Sequence, residues 1–335
     1  MAFRLISRPR PVSALKIAQF RYGNVATRNI SSQVPGQVVD LDYTAHIPPD
    51  GNKIEGALVI LHGLFGSKRN FTSLSKHFMK DLNIPVYALD LRNQGTSPHI
   101  ESMTYSAMAG DVLHFLHKHS LSNITLLGHS MGGKAAMSVA LHPSLSEAEN
   151  TNILSNLVVV DVAPTRAQLS PEFKGYVEAM KKIESMQVRS RKEALELLEP
   201  YESVCPTWPS HFYHIIDTNF TEKDATVRQF LLTNLNALTA DEPHAKFRVP
   251  LDTLENAIPE IGSFPYAPGE RSWDGPTMFI KGSKSAYINR HSLAPMEAFF
   301  PNLKLETLDA GHWVHGDRPD LFKKLVEQFI NDNRK

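Results

Sequence analysis

The sequence predicts an α/β fold: a mostly parallel central sheet with helices on both faces and an all-helical insertion. Three observations predict it. Short, mostly apolar runs, at 57–61, 86–91, 124–127, 157–160 and 277–280, alternate with helix-length amphipathic stretches, as in parallel strands buried on both faces by crossover helices. Residues able to do chemistry recur directly after such runs, at the carboxyl ends of strands, where open parallel sheets bind ligands. Between residues 165 and 266 the alternation stops and only helical periodicity remains, after which strands resume.

The chain begins with different chemistry. Residues 1–37 carry Arg4, Arg8, Arg10, Lys16, Arg21 and Arg28, scattered serines and no acidic residue. This is the composition of a mitochondrial transit peptide, without the long apolar core of a secretory signal. The segment is expected to lie outside the fold, leaving 38–335 as the folded domain and the mitochondrial matrix as its location. Residues 38–46 alternate loosely, as an edge strand, and Pro48-Pro49-Asp50-Gly51 is a turn signal. The run ALVIL (57–61) reads as a buried strand and ends in His62-Gly63-Leu64-Phe65-Gly66. A glycine-bearing loop after a central strand lets backbone N–H groups face a ligand. The N–H of Leu64 is expected to be an oxyanion donor.

A helix over 70–79 leads to the strand 86–91 (VYALDL), closed by the turn 92–97, where Asp90 is expected to tether Arg92. In 105–119, Met108, Val112, Phe115 and Leu116 have helical spacing. His114, His117 and His119 sit on that helix. Only the first two share a face, and no carboxylate completes a metal set, so a solvated helix end is expected.

Residues 123–133 (NITLLGHSMGG) carry the most informative local pattern. Ile124, Leu126 and Leu127 form a strand, Gly128-His129-Ser130-Met131-Gly132 fits G-x-S-x-G, and 134–141 (KAAMSVAL) is rich in helix formers. Strand, sharp turn and helix give this pattern a mechanical meaning. The glycines let strand and helix close on each other, and the serine is held strained and exposed above the sheet. The N–H of Met131, at the helix N-terminus, is expected to be the second oxyanion donor.

A serine hydroxyl is a poor nucleophile at neutral pH and needs a base, itself oriented by a carboxylate. The last strand, 303–308, is followed by Asp309-Ala310-Gly311-His312-Trp313, then a helix over 320–330. His312 therefore falls in a loop at the carboxyl edge, where a general base would reach Ser130. The loop after strand 277–280 reads KGSKSAY and holds no carboxylate. Asp274 is at the wrong end of that strand, and Asp309 is too close along the chain to fold back onto His312. Asp161 ends the strand after the serine strand and is assigned as the acid. The chain order Ser130, Asp161, His312 is that of α/β-hydrolases.

The insertion begins with an amphipathic helix marked by Phe173, Val177, Met180, Ile183 and Met186. Residues 192–198 and 227–238 are also helical in pattern, and 263–275 is a Pro/Gly-rich link. Such an insertion reads as a lid over the site. Met180, Met186, Trp208, Phe212 and Phe230 are its candidates for contact with an apolar substrate group.

Composition narrows the classes of function. Of 335 residues, 35 are basic and 35 acidic, so no net field favours nucleic acid or a membrane surface. Cys205 is the single cysteine, which excludes internal disulfides and cysteine-based metal spacing. No apolar run is long enough to span a bilayer. Neither a metal nor another cofactor is expected.

The segments HGLFGSKRNF, DLRNQGTSPH, LLGHSMGGKAAM, VVDVAP, VRQFLLTNL, FRVPLDTL, KGSKSAYI and DAGHWVH resemble the mitochondrial α/β-hydrolase-domain-containing protein 11 group. Fungal ethanol acetyltransferases and small bacterial esterases are similar. The resemblance covers about residues 38–332 and places the acid after the strand following the serine, in agreement with Asp161. It implies hydrolysis of short-chain acyl esters or thioesters, a small-molecule substrate, and in some fungal relatives transfer to an alcohol. Two alternatives differ in class. A dehalogenase or epoxide hydrolase would carry Asp where this chain has Ser130. A binding or scaffold protein on the same fold would need no turnover.

Overall fold

The structure is a computed structural model that describes residues 37–49, 55–147, 150, 152–169, 171–199 and 224–334. The segment 1–36 of the expected transit peptide, and Trp208 and Phe212, lie outside the described residues.

Strands β1 (Tyr43–His46), β2 (Leu58–Leu61), β3 (Val86–Leu89), β4 (Ile124–His129), β5 (Leu154–Val160), β6 (Thr277–Gly282) and β7 (Leu303–Leu308) form one sheet in the order β1-β3-β2-β4-β5-β6-β7. The β1 edge pairs antiparallel with β3, and every other pairing is parallel. The edge strand is shorter than the pattern over 38–46 predicts. Strand β5 starts three residues before its apolar run, because Asn156 Nδ2 donates to Thr125 Oγ1 at 3.1 Å on β4 and so enters the sheet although polar.

Alternation along the strands builds two cores. Val59, Leu61, Leu126, Leu157 and Val159 face one core, packed by helices α2 (Tyr105–Lys118), α3 (Met131–Ala140) and α8 (Leu293–Phe299). Leu58, Ile60, Leu127, Val158 and Val160 face the other, packed by α1 (Thr72–Leu82) and α10 (Pro319–Asp332). Both faces of the sheet are thereby dry, which is why these strands read as mostly apolar runs.

Strand order reverses between β2 and β4. Successive strands run outward from β2 on one side and from β4 on the other, leaving a crevice above their carboxyl ends. Between β5 and β6 the chain inserts α4 (Pro171–Ser185), α5 (Arg191–Leu198), α6 (Asp224–Leu231) and α7 (Leu251–Gly262). Helix α6 ends earlier than its apolar pattern predicts: Leu235 leaves the helix to bridge Phe247.

One expectation for the turn after β3 is corrected. Asp90 does hold that turn, but through the backbone N–H of Thr96 at 2.9 Å and through Lys68. Arg92 pairs instead with Asp111 of α2, Nε to Oδ2 at 2.6 Å, both side chains buried. A buried guanidinium needs two acceptor oxygens in its own plane. Asp111 supplies both, with Oδ1 at 2.7 Å from the terminal nitrogen.

Candidate active site

The four loops that close the crevice carry the residues singled out from the sequence. Leu64 follows β2, Ser130 follows β4, Asp161 follows β5, and His312 lies in the loop between β7 and the short helix α9 (Val314–Asp317). The structure brings all of them to one edge of the sheet.

Ser130 has φ 53° and ψ −119°, a conformation that L-residues rarely adopt. It costs on the order of 1–3 kcal/mol and persists only where the surroundings enforce it. Here they do. A side chain on Gly128 would overlap the Gly132 carbonyl, and one on Gly132 would strike the carbonyls of Leu61 and His62. The Ser130 N–H donates to Val160 O at 3.0 Å, locking the turn to β5. Helix α3 starts at the next residue. Among the described residues, the N–H groups of Met131 and Leu64 donate to no protein acceptor.

Asp161 is fully buried and also has positive φ, 51°. Its Oδ2 accepts from His312 Nδ1 at 2.7 Å and from the Ser285 hydroxyl; its Oδ1 accepts from Gly282 N–H at 3.0 Å. A carboxylate accepting from three donors is fixed in plane. It also fixes the His312 tautomer. The ring proton sits on Nδ1, leaving Nε2 a free acceptor. Tyr287 stacks on the His312 ring with centroids 4.2 Å apart.

Several of these supports escaped sequence reading. Gly282 ends β6 and Ser285 lies in the loop that follows, which the sequence marks only by its lack of a carboxylate. His129 is the unassigned x of G-x-S-x-G; its Nε2 donates to the His312 backbone carbonyl at 3.0 Å. His62 accepts the Leu91 N–H on Nε2 at 3.0 Å and hydrogen-bonds Gly63 O through Nδ1 at 2.8 Å, pinning the Leu64 loop. Asn234 of the insertion donates to Phe65 O at 2.7 Å, fixing the same loop from above. The only sequence signal for these contacts is that chemically capable residues adjoin the motifs.

Burial keeps His62, His129 and His315 neutral. His62 is lowered, His129 is lowered well below the usual imidazole range with neighbouring histidines adding, and His315 is pushed down to about 3. His315 stacks on Phe71 with centroids 4.6 Å apart, and among the described residues its Nδ1 has no hydrogen-bond partner. The unfolded chain takes up protons at ordinary histidine values, about 6.5, while the folded ring does not. Stability is therefore expected to fall as pH drops from 6.5 toward 3. For His315 the loss by pH 5 is about 2 kcal/mol, at ~1.4 kcal/mol per pH unit. Urea unfolding of wild type and His315→Phe at pH 7.5 and 5 checks this: the variant is expected to lose about 2 kcal/mol less. Equal losses would contradict the buried neutral state.

Ser130 and His312 open onto a cavity of about 1090 Å³. Its apolar wall comes from Leu64 and Phe65 below and from Phe173, Tyr176, Val227 and Phe230 of the insertion above. Of the insertion residues expected at a substrate group, Phe230 is there. Met180 is instead buried in the core and Met186 is 53% exposed. Both belong to the predicted amphipathic face, which divides: Phe173 reaches the cavity, Met180 packs into the core and Met186 faces solvent. Among the described residues no cluster of three or more His, Cys, Asp or Glu could hold a metal ion, and no helix is long and apolar enough to cross a membrane.

A serine on a strained strand-to-helix turn, with a carboxylate–histidine pair beside the same cavity, is the site architecture of the α/β hydrolases. Residues 56–319 match the alpha/beta hydrolase fold family, and the chain belongs to it. Among its relatives is the sn-1-specific diacylglycerol lipase ABHD11 of Xenopus laevis, 35% identical, covering 88% of this chain and 85% of that protein. A probable alcohol acetyltransferase of Saccharomyces cerevisiae is 34% identical over 84% of this chain and 79% of its own length. A solved marine microorganism esterase superposes with a TM-score of 0.71 at 29% identity, covering 87% of this chain and 99% of its own.

Proposed function

We propose that the protein is a serine esterase that takes an acyl group from an ester or thioester onto Ser130 and releases it to water. The observation that carries this is the Asp161–His312 hydrogen bond at 2.7 Å beside the cavity that Ser130 lines. His312 Nε2 takes the Ser130 proton as Oγ bonds the acyl carbon. The carbonyl oxygen becomes an oxyanion, held by the N–H groups of Leu64 and Met131. As the tetrahedral centre collapses, the bond to the leaving oxygen or sulfur breaks, and His312 returns the proton to it. Water then enters by the same steps in reverse, and Ser130 is regenerated.

The helices of 165–266 act as a lid whose aromatic residues shelter the acyl group. A second reading, transfer to an alcohol, is favoured by the similarity to the yeast acetyltransferase; it uses the same residues and differs only in the acceptor admitted. The acid-free basic segment 1–37 supports a mitochondrial location.

Turnover of p-nitrophenyl acetate, butyrate and octanoate, with and without ethanol, tests the proposal. Free acid is expected without ethanol. Ethyl ester replacing acid when ethanol is added would give the acceptor role to alcohol. Neither product from folded protein would overturn both readings.

A further inference from the structure

Lys134 lies one helical turn beyond Ser130, its backbone N–H donating to Ser130 O at 3.1 Å. Its side chain is buried, and among the described residues no carboxylate is bonded to it. Instead the ammonium donates to three backbone carbonyls: Thr165 at 2.9 Å, Gly262 at 2.9 Å and Ser263 at 2.8 Å. Thr165 is where the chain enters the insertion, and Gly262 and Ser263 are where it leaves. An ammonium has three protons, and here each has its own acceptor. The last carbonyls of α7 form the negative end of that helix, which favours a cation without a counter-ion.

The same corner is strapped by other bonds. Ala167 N–H donates to Gly262 O at 2.9 Å, Arg166 Nε to Phe264 O at 2.9 Å, and Tyr105 OH to Ile261 O at 2.7 Å. Among the described residues, the hydrogen bonds that join that corner directly to the helix beginning at the serine come from Lys134. From the corner rises α4, whose Phe173 and Tyr176 line the cavity, and α4 is tied to α7 by Lys181 with Asp252 and Glu255 at 2.5 Å.

We propose that Lys134 is a positioning residue: a cationic clasp that sets the base of the insertion against the serine helix, and with it the width of the acyl cavity. The inference rests on acyl transfer at Ser130 and adds what determines the acyl length accepted. It also gives the cavity a response to alkali. Burial lowers the Lys134 ammonium to about 8. The groups facing it are the Tyr105 ring of α2, 5.7 Å away, and main-chain carbonyls from α7 and the loop after β5. Burial raises the Tyr105 phenol, which therefore stays protonated. Once deprotonated, the amine has two protons for three carbonyls, and the clasp loses one bond.

Three measurements test this. The first is the ratio of kcat/KM for p-nitrophenyl octanoate to that for the acetate, at pH 7 and pH 9. The second is the same ratio in Lys134→Met and Lys134→Arg. The third, independent of turnover, is hydrogen–deuterium exchange over 165–187 and 251–263 at one pH. In wild type the ratio is expected to fall severalfold between pH 7 and 9. Lys134→Met is expected to show the ratio lowered about tenfold at both pH values and faster exchange in both segments. Lys134→Arg, which keeps its charge throughout, is expected to lose the alkaline fall. Unchanged exchange in Lys134→Met, or equal losses on both substrates, would overturn the clasp. A protein inactive on every ester but with faster exchange in Lys134→Met would keep the clasp and refute the esterase.

Discussion

Ser130→Ala is expected to lower turnover of short acyl esters about 10⁴- to 10⁶-fold, the loss seen when the nucleophile of such a triad is removed. The fold should survive. Ser130 is a partly exposed side chain, and the strain at φ 53° is imposed by the glycine contacts around it rather than by the hydroxyl. The Leu64 and Met131 N–H groups remain, so substrate is still bound and KM should change little while kcat collapses. Steady-state kinetics alongside a thermal melt separates the cases. A variant that melts like wild type and keeps more than about one percent of kcat would assign the chemistry elsewhere.

The second large effect is expected at Asp161→Asn, about 10⁴-fold in kcat by analogy with loss of the orienting carboxylate in other triads. The local geometry explains the severity. Three donors converge on the carboxylate: His312 Nδ1, the Ser285 hydroxyl and Gly282 N–H. An amide has one oxygen, so whichever way it turns, its own N–H₂ meets a donor. If the amide nitrogen faces His312, the ring must take the opposite tautomer, with its proton on Nε2, and it can no longer accept from Ser130. If the nitrogen faces Gly282, the end of β6 is pushed from its place. Comparison with Ser285→Ala distinguishes orientation from charge. That variant removes a donor without creating a clash and should lose far less than Asp161→Asn. A loss below tenfold in Asp161→Asn would move the orienting role to another residue.

Much of this arrangement is legible from local pattern. The runs at 57–61, 124–127 and 157–160 mark strands because both faces of the sheet are covered, so apolar residues dominate them; the one polar side chain, Thr125, accepts from Asn156. Ser130 is legible because its turn demands glycines at fixed offsets, and Asp161 because it ends the next strand. Contacts between distant loops are not legible. Ser285 meets Asp161 across 124 residues, and His129 meets the His312 carbonyl across 183. Nothing local distinguishes either from an idle polar residue. The same limit explains Arg92. Proximity along the chain favours Asp90 as its partner, yet Asp111 on α2 offers both oxygens in the guanidinium plane. Amphipathic spacing placed Met180 and Met186 on one helix face without saying whether that face meets a core, a cavity or water.

Mass spectrometry after treatment with a fluorophosphonate identifies most directly the atom that accepts the acyl group. One adduct is predicted, on the peptide containing Ser130, absent from Ser130→Ala and accumulating in step with loss of ester turnover. An adduct on another residue, or turnover that survives complete labelling of Ser130, would contradict a mechanism that passes through this serine.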